Sequence, residues 1–254
     1  MPLLEKIPLW PFFIIIIGLA MLCVEAGYRF GKRRRNVADH DPEAPVGAMV
    51  ASTLALLAFL LTFTFSIAAA RFDERRIAVL NEANAIGTAY LRADFLDEQM
   101  KRRVRGLLRE YVDMRIRISE ATVAEQISQS EAIQDKLWAE AAAAEKAHPT
   151  PSCALFISSI NEVIDLHAKR VTVGFYARVP LIVWICLLVV ACLSMTGVGY
   201  QCGLAGNRSW TGTIILVTSF GFVILLVADL DRPAEGLIRT NQQPLIDLSK
   251  KLRP

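Results

Sequence analysis

Four apolar runs interrupt an otherwise polar and charged chain, and they define its predicted organisation. The runs are Ile7–Val24, Val46–Ala70, Val179–Val198 and Ser209–Ala228. Each is close to the ~20 residues that a helix needs to cross the hydrocarbon core of a bilayer. A secretory signal would have a basic start and a shorter apolar core, whereas only Lys6 precedes the first run. The pattern therefore predicts four retained membrane spans, with both termini on one side.

The region between the second and third runs, Arg71–Arg178, instead has apolar residues at helical spacing among charged ones. Asp97–Ser119, Thr122–Ala147 and Cys153–Ala177 each predict an amphipathic helix, and no segment has the alternation of a strand. The predicted fold class is all-α: an integral membrane protein with four transmembrane helices and a helical soluble region between spans 2 and 3. The expected domains are 1–70 (spans 1 and 2), 71–178 (soluble helical bundle), 179–228 (spans 3 and 4) and 229–254 (polar C-terminal tail).

The second run differs from the others because its helical pattern continues beyond the apolar part. No proline or turn cluster stops it before Leu91, so one helix is expected to leave the membrane and continue as a stalk. Ala55, Phe59 and Phe63 are spaced by four residues and share one face. Two interpretations stay open. These aromatic residues face lipid, or they form a ring with those of other subunits and make a narrow apolar passage that gates by dewetting.

The segments that connect the spans are predicted from their turn residues and charges. Gly31–Pro45 is expected to be a loop, and Gly199–Arg208 a tight turn. The loop carries the basic cluster Lys32–Arg35, and short basic loops stay in the cytoplasm. That rule favours a periplasmic helical region. Basic residues such as Arg71 and Arg178 flank spans on the other side, however, so the orientation stays open.

Composition and motifs exclude several classes of function. Hydrophobic residues make up 54% of the chain, and its net charge of +3 is not gathered into a nucleic-acid-binding surface. The five cysteines have no CxxC or other ligand spacing, so neither a disulfide framework nor a metal site is expected. His40, His148 and His167 are scattered in polar segments, and no HExxH or GxSxG motif is present. We therefore expect no enzyme activity and no cofactor.

Glu25 is the one ionisable residue near the end of the first span that suggests transport chemistry. A carboxylate within a span is a candidate for an ion path. At the last turn of a span it also reaches water or pairs with a neighbour such as Arg29. Both interpretations of Glu25 stay open at this point.

Two stretches resemble a known family. Phe63–Leu91, in which RFDERR is followed by NEANAIGTAYLR, closely resembles the bacterial bestrophin-like domain proteins. Asp229–Pro233, with Gly236 and Pro244 downstream, is similar to the acidic post-membrane segment of bestrophins. The order of elements is similar too: two spans, a helical insert, two spans and a tail.

The resemblance implies a homo-oligomeric ion channel, expected to be a pentamer, in the bacterial cytoplasmic (inner) membrane. Its partners would be other copies of itself, inorganic ions and the lipid bilayer. Bestrophins conduct mostly anions, and some bacterial members pass cations, so anion conduction is slightly favoured. Their second span lines the pore through an apolar neck, which falls here on Ala55, Phe59 and Phe63. The polar positions of the pore or stalk would be Thr62, Ser66, Arg71, Glu82 and Asn84, and the candidate ion contacts Glu25, Asp229 and Asp231.

Two departures from the family and two other functions stay under consideration. The acidic cluster that binds calcium in animal bestrophins is reduced here to Asp229 and Asp231, which argues against calcium control. The family's helical region is cytosolic, whereas the Lys32–Arg35 cluster favours the opposite side. The main alternative is a non-conducting membrane scaffold or sensor that docks a partner through its helical region. An intramembrane enzyme is the third, and no catalytic motif supports it.

Overall fold

The computed structural model describes residues 8–36, 43–116, 123–232 and 237–253, and within these ranges all regular structure is helical. The α-helices are Leu9–Arg35 (α1), Glu43–Arg92 (α2), Glu98–Ile116 (α3), Val123–Ala147 (α4), Pro151–Val171 (α5), Leu181–Ala205 (α6), Trp210–Asp231 (α7) and Gln243–Leu252 (α8). A 3₁₀ turn, Ala93–Phe95, follows α2, and a π-helical turn, Thr172–Tyr176, follows α5. The predicted all-α fold class is confirmed.

The chain forms two compact units, and each combines segments that are distant in sequence. The membrane unit comprises Met1–Phe72 and Arg178–Arg239. The insert unit comprises Asp73–Ala177 and Thr240–Pro254. Helix α2 is continuous through the boundary and contributes to both units. In the described ranges, α1, α2, α6 and α7 are each long and apolar enough to cross a membrane, which agrees with the four predicted spans.

In the membrane unit, α1 and α6 approach so closely that only glycine fits between them. A Cβ atom added at Gly27 of α1 would overlap the backbone carbonyl of Thr196, and one added at Gly199 of α6 would overlap that of Val24. Gly31 and Gly203, one turn further along, meet the partner helix in the same way. Each helix thus presents a G-x-x-x-G motif to the other. This packing gives spans 1 and 3 close backbone contact, which is how helices associate where no hydrophobic effect operates.

The insert unit is a helical bundle with a continuous apolar core. The Asp73–Arg92 part of α2 packs with α3, α4, α5 and α8, each of which turns an apolar stripe inward. Helix α5 begins where the Thr150 side chain accepts a hydrogen bond from the Cys153 amide (3.1 Å) and where Pro151 occupies the first turn. Leu245 and Leu252 of α8 are buried in this core. The tail is therefore divided: residues up to Arg239 belong to the membrane unit, and α8 belongs to the insert unit.

Two local predictions were wrong. Gly31–Pro45 was expected to be a loop, but α1 continues through its glycine-packed last turns to Arg35. Gly199–Arg208 was expected to be a turn, but glycines at a helix–helix contact were mistaken for turn residues, and α6 continues to Ala205. The helix ends at Gly206, whose φ of 66° is the left-handed conformation that suits glycine. The last part of the tail forms α8. His40 lies outside the described residues.

Candidate pore face and buried charge cluster

One face of α2 in the membrane unit is not covered by the rest of that unit. Phe59 and Phe63 keep 67% and 58% of their surface exposed, and Ala55, one turn earlier, is exposed as well. Leu57 and Leu61 are buried in the core of the unit. The structure therefore brings the three predicted neck residues together on one exposed face, and the aliphatic residues between them hold the helix in place.

Hydroxyl groups lie among these aromatic side chains. Thr62 and Ser66 are both exposed, and each donates a hydrogen bond to the carbonyl oxygen four residues earlier, at 2.9 and 3.0 Å. Because its hydrogen is used within the helix, each hydroxyl presents mainly an oxygen lone pair outward. The surface of this face is therefore mostly apolar, with a few hydrogen-bond acceptors.

The other predicted polar positions on α2 do not share one environment. Arg71 is half-buried in the membrane unit and takes part in at least one side-chain interaction. Asn84 is exposed in the insert unit. Glu82, only two residues earlier, is fully buried in the insert unit. Glu82 and Asn84 therefore point to different sides of the same helix.

Glu25 is neutralised by two arginines within the membrane unit. Its carboxylate accepts hydrogen bonds from Arg29 (2.7 Å) and from Arg208 (2.5 Å), which lies just before α7. The Arg208 guanidinium also lies over the Trp210 ring at 3.6 Å and near the Tyr28 ring at 4.7 Å. Glu25 therefore ties the second half of α1 to the start of α7. Its role as an ion contact stays a prediction.

Asp229 and Asp231 accept hydrogen bonds from backbone amides of their own unit. Asp229, almost fully buried at the end of α7, accepts one from Leu237 (2.9 Å) and one from Ile238 (3.1 Å). Asp231 accepts one from Val179 (2.9 Å), just before α6. In this structure both carboxylates organise backbone around the end of α7, and their contact with ions also stays a prediction.

A buried cluster of charged and polar side chains occupies the interior of the insert unit. Glu82 of α2 lies at its centre and accepts hydrogen bonds from Arg115 of α3 (3.1 Å) and from Arg170 of α5. Tyr111 donates its hydroxyl hydrogen to Glu82 (2.8 Å). His167 and Gln134 complete the cluster, and Arg170 also donates to Gln242 (2.8 Å) just before α8. The cluster therefore links α2, α3, α4 and α5, and through Gln242 the start of α8.

Burial and neighbouring charges shift the ionisation of this cluster. Burial, with a smaller effect of the Arg115 charge, lowers the pKa of His167 to about 4, so the imidazole is neutral at neutral pH. Burial and the Glu82 charge raise the pKa of Tyr111 well above its usual range. The phenol therefore keeps its hydrogen and remains a donor to Glu82.

The family of this chain follows from its match to a sequence model. The model of the Bestrophin-like domain matches residues 13–245, which cover both units. The chain belongs to the bestrophin-like family. No curated protein sequence matches this bestrophin-like chain.

Solved structures confirm that this bestrophin-like chain has the fold of bacterial bestrophin homologues. It is similar to a mutant of the bestrophin homologue from Klebsiella pneumoniae, with a TM-score of 0.65 and 16% identity, over 94% of this chain and 96% of that one. Another mutant of that homologue gives 0.65 and 14%, over 94% and 97%. A structure described as a membrane protein gives 0.64 and 15%, over 94% and 95%.

Sequence reasoning missed the buried cluster, although the sequence contained a signal for it. Tyr111 falls in the apolar stripe of α3 with Val104 and Leu108, and His167 falls in that of α5 with Ile160 and Val163. Polar residues at core positions require partners there. In this bestrophin-like chain such residues occur on several helices, and together they would have predicted a shared buried network.

Proposed function

We propose that this chain assembles with copies of itself into an ion channel of a bacterial cytoplasmic membrane. The exposed face of α2 in the membrane unit would line the pore, with Ala55, Phe59 and Phe63 as its apolar neck. The family supports this proposal, since bestrophins are ion channels. A pentamer with a slight preference for anions is the form that the family favours.

The observation that carries the proposal is the exposure of two large aromatic side chains on the pore-candidate face. Phe59 and Phe63 are more than half exposed in a single chain, while the hydroxyls of Thr62 and Ser66 share their side of the helix. In a narrow passage that water enters, these oxygens would accept hydrogen bonds from the water beside the constriction.

The exposed positions of α2 also keep a spacing that suits packing among identical helices. One series of these positions, from Phe59 to Leu91, advances in alternating steps of four and three residues, and other exposed positions such as Thr62 and Glu74 lie outside it. The series is Phe59, Phe63, Ser66, Ala70, Asp73, Ile77, Leu80, Asn84, Gly87 and Leu91, all exposed except half-buried Gly87. A 3.5-residue repeat on several copies of one helix produces a left-handed bundle around a common axis. Exposed apolar residues of the insert unit, such as Ile77 and Leu80, then gain a partner.

The neck would act on the hydration of an ion more than on the sign of its charge. Rings of phenyl groups raise the cost of keeping water in a narrow passage, so conduction stops when the passage dries. Removing phenyl groups widens the passage enough for it to stay wet. Phe59→Ala and Phe63→Ala should therefore raise the conductance of single channels, and the double variant should raise it most.

The test is electrical recording from purified protein in planar bilayers. Phe222→Ala provides a matched control, because Phe222 is 53% exposed in the same unit but lies on α7. Its currents should equal those of the wild type. The reversal potential in a KCl gradient reports the preference for anions or cations.

Two results would contradict the proposal. One is an unchanged conductance in Phe59→Ala and Phe63→Ala channels that still conduct. The other is a well-folded oligomer without current whose axis is closed or filled with lipid. That second result would favour the scaffold or sensor function, in which the helical region docks a partner.

A further inference from the structure

His167 is the buried histidine of the insert unit, and charged groups from several helices face it. Its side chain is 3% exposed. Among the described residues it faces Glu82 of α2, with Nδ1 at 4.0 Å from the carboxylate, and Tyr111 and Arg115 of α3. Arg170 of its own helix also faces it, and α4 contributes Gln134, which is uncharged. The site contains one negative and two positive charges before the histidine is counted.

The hydrogen bonds of Tyr111 determine which nitrogen of His167 carries the hydrogen. Tyr111 donates its only hydrogen to Glu82 and accepts one from Gln134. Its oxygen lies 3.1 Å from His167 Nδ1, so Nδ1 must be the donor in that contact. Nε2 of the neutral ring then carries a lone pair, and it has no hydrogen-bond partner among the described residues.

A second proton on His167 would have no favourable place in this arrangement. It would sit on Nε2, where the described structure offers no acceptor, and it would add a third positive charge beside Arg115 and Arg170. Glu82 is the only carboxylate in the cluster, and both arginines and Tyr111 already bind it. A buried charge without a partner costs several kcal/mol, so proton uptake favours a state in which α5 separates from the cluster.

We propose that His167 is a proton-operated switch of the insert unit: uptake of a proton at Nε2 places a third buried positive charge beside Arg115 and Arg170 and releases α5 from α2 and α3. The switch is a property of the insert unit and does not depend on the pore. A separated, solvated His167 binds the proton near pH 6.5, whereas burial lowers the pKa of the packed ring to about 4. The open state therefore binds more protons between these values, and opening becomes more favourable as the pH falls.

The proposed opening is tested by hydrogen–deuterium exchange on the protein in detergent. Exchange is followed for peptides of α3 and α5 at several pH values. Between pH 7 and 4.5 the opening equilibrium of the wild type should rise by on the order of 10²-fold relative to His167→Asn, because one proton is taken up. Asparagine places an amide N–H near the position of Nδ1 and does not titrate. His148→Asn is the matched control, since His148 is exposed in the same unit, and it should behave as the wild type.

The proposal is overturned if His167→Asn shows the same acid-dependent opening as the wild type, or if His148→Asn abolishes it. A second measurement on the wild type avoids dependence on a variant that fails to fold. NMR of protein labelled with ¹⁵N only at histidine should show one ring that remains neutral at pH 5.5, with its hydrogen on Nδ1. The signal is assigned to His167 by its absence in His167→Asn. If that variant does not fold, its persistence in His148→Asn shows that it does not belong to His148. A doubly protonated His167 ring at that pH, in a closed insert unit, overturns the proposal equally.

Discussion

Replacing Glu82 with glutamine tests whether this residue holds the insert unit together. Glutamine has nearly the same volume as glutamate, so Glu82→Gln removes the charge without creating a cavity. Glu82 is fully buried, and its partners Arg115 and Arg170 are only 12% and 16% exposed in their side chains. The substitution would therefore leave two nearly buried guanidinium groups without a counter-ion.

The expected destabilisation follows from the general cost of breaking a buried ion pair. Removing one partner of such a pair costs about 3–5 kcal/mol, mostly because the remaining charge is left uncompensated. Tyr111 also loses the ionised acceptor of its hydrogen bond, which acts in the same direction. A destabilisation of that size corresponds to about 10²- to 10⁴-fold more frequent opening of the insert unit.

A surface ion pair of the same unit provides the control for this measurement. Arg103 and Glu140 lie 2.8 Å apart and join α3 to α4, but Arg103 is 43% exposed. Exposed pairs contribute about 0–1 kcal/mol, so Glu140→Gln should change opening less than tenfold. Hydrogen exchange of α5 amides at neutral pH measures both variants on one scale. If Glu82→Gln opened no more often than Glu140→Gln, the cluster would not be the stabilising centre inferred here.

Three further substitutions test the membrane unit. Gly199→Ala should lower the free energy of unfolding in detergent by about 1–3 kcal/mol, because its Cβ meets the backbone of α1. Gly18→Ala should not lower it, since the Cβ added there meets no neighbouring side chain or other helix. Equal melting temperatures of the two variants would refute the close packing. Glu25→Gln should lower the melting temperature and leave ion selectivity unchanged, since both arginines already neutralise Glu25; a change in reversal potential would instead support an ion contact. Asp231→Asn should speed hydrogen exchange at Val179 by weakening the hydrogen bond between them, and an unchanged rate would refute that role.

The span pattern was predictable because membrane crossing depends on local composition, whereas helix ends depend on contacts. Long apolar runs in the sequence indicate spans regardless of what surrounds them. The glycines near the ends of α1 and α6 were misread as turn signals, although they are the small residues that let two spans approach. The two uses of glycine give the same sequence pattern. Only the position of the partner helix, about 170 residues away in the chain, distinguishes them.

The environment of each α2 residue was less predictable for a related reason. Phe59 and Glu82 lie on one uninterrupted helix, and the sequence predicts that Phe59 faces lipid or a pore and that Glu82 is a polar position of the pore or stalk. Phe59 is exposed in a single chain, but Glu82 is buried, because it is enclosed by residues 29, 33 and 88 positions later in the chain, namely Tyr111, Arg115 and Arg170. A buried carboxylate is costly unless partners compensate for it, and for Glu82 those partners lie within the chain. An exposed phenyl ring in a membrane unit is stable against lipid and equally against neighbouring copies around a pore, so the contacts within the chain do not fix the surroundings of Phe59. The conductance of Phe59→Ala channels distinguishes the two.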